Sequence, residues 1–129
     1  QAGDRGLAAA QFNLGMMHEL GRGVTPDLGT AFKFYLKAAE QGFAPAQFNV
    51  GNMYAGGLGV KQDYFEAALW FRQAADRGVP EAQYNLALAY ERIGQPDRAR
   101  PLWRRCLELD PAGAYADDAR EGLRRIEDG

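Results

Sequence analysis

The chain has 129 residues, 47% of them hydrophobic and 25% charged, and a net charge of −2, an ordinary composition for one folded domain. No apolar run approaches the ~20 residues that a membrane span needs. Acidic and basic residues nearly balance in both halves, whereas a nucleic-acid binder normally shows a basic face to the phosphates. The single Cys106 rules out an intramolecular disulfide or a cysteine metal cluster.

Taken in order, the opening residues Gln1-Ala2-Gly3-Asp4-Arg5-Gly6 line up with Lys37–Gly42 and with Gln73–Gly78. The two later stretches each close a helix on a glycine suited to a left-handed stop. Residues 1–6 therefore read as the last turn of a preceding repeat, and the chain as part of a longer array.

A first helix is expected over 8–20. Its block Ala10-Gln11-Phe12-Asn13-Leu14-Gly15 returns at Ala46–Gly51 and again at Ala82–Ala87, 36 residues apart each time. A fixed period of this size marks a repeat solenoid. At 100° per residue Gln11, Leu14, Gly15 and His18 share one face, and Ala9, Asn13, Met16 and Leu20 share the opposite one. Gly15 and Gly51 each forgo about 1 kcal/mol of helix propensity relative to Ala, which implies close approach of a neighbouring helix. Ala87 at the same register shows that a methyl group is tolerated there.

Gly21-Arg22-Gly23-Val24 and Gly57-Leu58-Gly59-Val60 have the look of phosphate-loop fragments. No strand precedes them and no Gly-Lys-Ser/Thr follows, so they read as turns. Second helices are expected over 27–40 and 63–76, with Pro26 fitting a first helical position and Asp27 or Asp63 favouring the positive end of the dipole. Ala31, Phe34, Tyr35, Ala38 and Ala39 recur as Ala67, Trp70, Phe71, Ala74 and Ala75, an apolar stripe for packing on the first helix.

Between these lie the expected helices 44–56 and 80–93. The third unit then loses four residues of the glycine loop. Its second helix is expected over 97–109, kinked at Pro101 or begun nearer Arg98, because the proline ring would meet the Asp97 carbonyl. A last helix over 113–127 sets Tyr115, Ala119, Leu123 and Ile126 against a charged face, as a terminal cap requires.

These motifs resemble the Sel-1-like repeat (SLR) family, the 36-residue relative of tetratricopeptide repeats, over residues 7–78. The third unit is similar to a tetratricopeptide repeat through Leu86, Ala87, Tyr90, Ala99, Trp103 and Pro111. The resemblance implies an all-α, right-handed superhelical solenoid of antiparallel helix pairs, about seven helices in all. It gives one repeat domain over 1–129: a tail of a preceding repeat at 1–6, repeats at 7–42, 43–78 and 79–111, and a capping helix at 112–129. It also implies an adaptor scaffold whose first helices line a concave groove. A cysteine-rich branch to which penicillin binding or hydrolysis is attributed has paired cysteines in every repeat. This chain lacks them, and that activity is not carried over.

Candidate groove residues are those on the face of the first helices that, in the geometry the resemblance implies, lines the groove. Asn13, Asn49 and Asn85 share a face with Met16, Asn52 and Leu88. Leu20, Glu81 and Arg92 extend that face. Each asparagine amide, with two donors and an acceptor, suits the backbone of an extended peptide, or else it bonds a neighbouring helix and sets the repeat spacing. His18 shares the register of Tyr54 and Tyr90 and reads as a hydrogen-bonded core residue, since no nucleophile or acid is placed beside it. Cys106 takes the place of Ala38 and Ala74, a small buried filler. Arg98, Arg100, Arg104 and Arg105 surround Trp103 as a solvated face, with Arg104 and Arg105 at salt-bridge spacing to Glu108.

The expected function is that of a protein-interaction scaffold binding a protein or peptide partner in the groove, with no catalytic set, cofactor or metal. Neither nucleic acid nor membrane insertion is expected. The alternative is a spacer in a larger array whose binding surface lies upstream. Leu7, Ala10 and Met17 should form an edge that an upstream helix pair would cover, and which could pair copies of the chain end to end. The chain is expected to be soluble, in the cytoplasm or, with a leader removed, in a bacterial periplasm.

Overall fold

A computed structural model describes residues 2–128; Gln1 and Gly129, the outermost residues of the first and last expected segments, lie outside them. Among the described residues there are seven helices and no strand: α1 (Ala2–Leu20), α2 (Leu28–Glu40), α3 (Ala44–Gly56), α4 (Tyr64–Asp76), α5 (Pro80–Arg92), α6 (Pro96–Leu109) and α7 (Ala116–Asp128). Each helix packs chiefly on the next in sequence, the connectivity of a helical solenoid.

Local chemistry explains most boundaries. Asp27 caps α2 by accepting from the Thr30 N–H, and Asp63 caps α4 by accepting from Phe65 and Glu66. Hydrogen bonding by Thr30 holds the Asp27 carboxyl below its usual pKa. Pro26 precedes the cap instead of opening the helix. Prolines do sit in the first turns of α3, α5 and α6, where a missing N–H costs little. Gly42 and Gly78 take the left-handed conformation after α2 and α4, with φ of 85° and 94°.

Three boundaries differ from expectation. Gly6 ends nothing: α1 runs through it unbroken. The later units carry Pro45 and Pro80 just past the equivalent glycine, whereas here Ala8, Ala9 and Ala10 follow and favour continuation. Helix α6 starts at Pro96 and contains Pro101. That proline sits in the second turn, so the ladder forfeits only the early bond to the Asp97 carbonyl. Helix α7 begins at Ala116, leaving Tyr115 in the turn before it, stacked on Tyr84 at 4.6 Å.

The core forms two clusters. One gathers Ala31, Phe32, Tyr35, Ala46, Val50 and Met53; the other gathers Ala67, Phe71, Leu86, Ala87, Ala99 and Trp103. Tyr54 packs against both. The close approaches at Gly15 and Gly51 are to aromatic rings. A methyl on Gly15 would lie 2.7 Å from the Tyr35 ring, and one on Gly51 2.6 Å from Phe71.

The stripe is rotated slightly from its expected position. Phe32 and Ala68 are buried, while Phe34, Trp70 and Ala75 are half-buried. Phe34 instead stacks on His18 at 5.4 Å and lies under Lys37. His18 is thus a half-buried stacking residue, not a core one. Leu14 is exposed on α1, Cys106 is half-buried with its thiol pKa pushed up by burial, and neither Arg104 nor Arg105 pairs with Glu108. Arg100 pairs with Asp97 at 3.3 Å instead.

Candidate peptide-binding face

Helices α1, α3 and α5 present one repeated face, and between α3 and α5 it opens into a cavity of about 270 Å³. Four of the nine expected residues line it: Asn52, Asn85, Leu88 and Arg92. The helical register delivers them, since Asn52 and Leu88 are equivalent positions and Arg92 is one turn beyond Leu88. Asn85 Nδ2 donates to Asn52 Oδ1 at 3.0 Å across the two helices. The pair keeps both Asn52 donors, one Asn85 donor and the Asn85 acceptor unspent by that bond.

The other five do not line the cavity. Asn13 and Leu20 are exposed on α1, and Met16 is half-buried against the first core cluster. Asn49 neighbours the buried Tyr35 hydroxyl, which donates to Glu19 Oε1 at 2.5 Å. Burial and the Glu19 contact raise the Tyr35 pKa well above the usual phenol range. Glu81 is exposed in the first turn of α5.

Sequence reasoning missed Tyr64, Phe71, Ala55, Gly56 and Ala89 on the cavity wall. Phe71 was visible only as core, which it also is, and Tyr64 stands where the first repeat has Leu28, so no periodic signal singles it out. The wall is apolar below and amide-bearing above, with one guanidinium at the end. Such a site can seat an apolar side chain while hydrogen-bonding the backbone that carries it. Among the described residues no three His, Cys, Asp or Glu side chains gather as metal ligands. No helix there is long and apolar enough to cross a membrane.

Comparison with known families matches the Sel1 repeat to residues 8–43 and 44–79 and the tetratricopeptide repeat to residues 80–112. No curated protein matches the chain. Among solved structures, a Sel1 repeat protein from Oxalobacter formigenes is 36% identical over 85% of this chain, with a TM-score of 0.73. A protective antigen of uropathogenic Escherichia coli strains, displaying an SLR fold, is 27% identical over 98% of it, with a TM-score of 0.79. The chain spans 47% of the first protein's length and 27% of the second's.

Proposed function

Because the chain belongs to the Sel1 repeat family, with a tetratricopeptide repeat as its third unit, we propose that it is a protein-interaction scaffold. Its partner is an extended peptide segment laid along the α1, α3 and α5 face, with one apolar side chain in the cavity between α3 and α5. The observation that carries this reading is the Asn85–Asn52 amide pair, half-buried above an apolar wall and only partly used by its own bond. Asn13 and Asn49, at the register of Asn85, extend the polar line. The same reading treats residues 7–42, 43–78 and 79–111 as three repeat units of one domain, capped by α7.

The test is selection from a displayed random-peptide library on the immobilised chain. Selected peptides should bind the Asn52→Ala/Asn85→Ala double variant and a cavity-filling Leu88→Trp variant at least about tenfold more weakly, as the loss of paired backbone groups predicts. Peptides that bind both variants unchanged would overturn the assignment.

A second reading is favoured by one edge of α1, where Leu7 is 54% exposed and Leu14 and Met17 each 38%. A further repeat stacked there would make this chain a spacer, and a second copy placed there would pair chains end to end. Sedimentation at rising concentration separates these outcomes, because only self-pairing changes the mass.

A further inference from the structure

The face opposite the amide pair carries a second groove, between α4 and α6 and floored by α5. Two adjoining cavities, of about 720 Å³ and 190 Å³, share Arg72, Tyr90 and Arg98. Arg72 rises from α4 and Arg98 from α6, so they stand on opposite walls, with the Tyr90 ring 5.9 Å from the Arg98 guanidinium carbon. Arg105 lies further along the α6 wall.

None of these three arginines joins an ion pair among the described residues, whereas Asp97, on the same wall, is already bonded to Arg100. Only Asp76 is left to oppose them, so the groove carries surplus positive charge in a chain of net charge −2. At one end Phe65 and Leu69 are 62% and 58% exposed. The side-chain oxygens of Gln83 and Gln95, one in each cavity, are shielded from solvent and accept no hydrogen bond.

We infer that this groove docks an acidic segment of a partner protein, its carboxylates between Arg72 and Arg98 and a large apolar residue against Phe65 and Leu69. Charge complementarity selects the segment, and the apolar end fixes its direction. A nucleic-acid strand fits less well, because Asp76 would face its phosphates and the groove offers three arginines where a strand needs a continuous basic track. The site is separate from the amide-lined face and does not depend on what binds there.

The test uses the whole chain and a fluorescein-labelled peptide of repeated Glu-Glu-Leu, with a Lys-Lys-Leu peptide and oligothymidylate as comparisons. The acidic peptide should bind, and its affinity should fall as salt rises. Arg72→Glu with Arg98→Glu should weaken it roughly tenfold or more, as expected for two partly exposed charge contacts reversed in sign. Arg72→Gln with Arg98→Gln serves if charge reversal lowers the melting temperature. Arg104→Glu, outside the groove, should leave binding unchanged. Absence of binding, equal binding of the basic peptide, equal weakening by Arg104→Glu, or preference for oligothymidylate would each overturn the inference.

Discussion

The indole Nε1 of the fully buried Trp103 donates to Glu91 Oε2 at 3.1 Å, tying the core of α6 to the last turn of α5. Arg125 donates to the same carboxylate from α7, at 3.3 and 3.1 Å, and that interaction raises the Arg125 pKa. One acidic side chain therefore joins three consecutive helices. Glu91→Ala should cost about 2 kcal/mol, because the indole N–H is left buried without an acceptor. Glu91→Gln, whose amide oxygen still accepts, should cost less than half of that. Urea unfolding of the two variants checks the order.

Two glycines in helices should respond to alanine with opposite signs. Gly51→Ala places a methyl 2.6 Å from Phe71 ring carbons, so overpacking of about 1–3 kcal/mol outweighs the helix propensity gained. Gly6, in α1, has nothing within 4 Å of an added methyl, and Gly6→Ala should stabilise by about 0.5 kcal/mol. Thermal melts of both decide it, and a loss on Gly6→Ala would contradict an unbroken α1.

Tyr35 makes stability fall at high pH. Its folded pKa is raised by burial first and by Glu19 second, so the unfolded phenol, near 10.0, ionises earlier. The contribution is complete below pH 10 and is lost progressively above it, because the unfolded state then binds fewer protons than the folded one. Tyr35→Phe should flatten the slope of unfolding free energy between about pH 10 and 11. Tyr54 and Tyr84, also raised chiefly by burial, should retain a smaller slope in that variant.

The Asn52–Asn85 bond should add little to folding. It is part-buried, so each single alanine variant should lose about 0.5–1.5 kcal/mol and the double variant less than the two together. A double-mutant cycle by thermal melting measures the coupling. Coupling far above this range would mark the pair as a spacer between repeats in place of a peptide contact.

What could be read from the sequence was whatever the repeat copies. The 36-residue period locates α1 to α5, because the same small residues return at the same offsets, and Gly15 with Gly51 marks the close approach without a structure. Features set by single positions were hidden. Periodicity at spacing three to four cannot choose between Phe32 and Phe34, because both lie near the buried side of α2 and only the packing of α3 decides. The opening glycine copies Gly42 and Gly78, yet whether the helix stops there depends on the proline beside it. Glu91 looked like any surface charge, since its role comes from Trp103 and Arg125, 12 and 34 residues away. For the binding face, register placed Asn52, Asn85, Leu88 and Arg92 together, while Tyr64, the first residue of α4, stands where the first repeat has Leu28 and no repeat announces it.

Tyr54 lies against both clusters of the core, and it is only half-buried. The molecule is thus two blocks joined at a seam between α3 and α4, where Phe48 of α3 reaches the second cluster and Trp70 of α4 reaches the first. An opening that begins at either end can stop at the seam with the far block still folded. The amide-lined cavity between α3 and α5 straddles that seam, so a peptide seated in it clamps the blocks together.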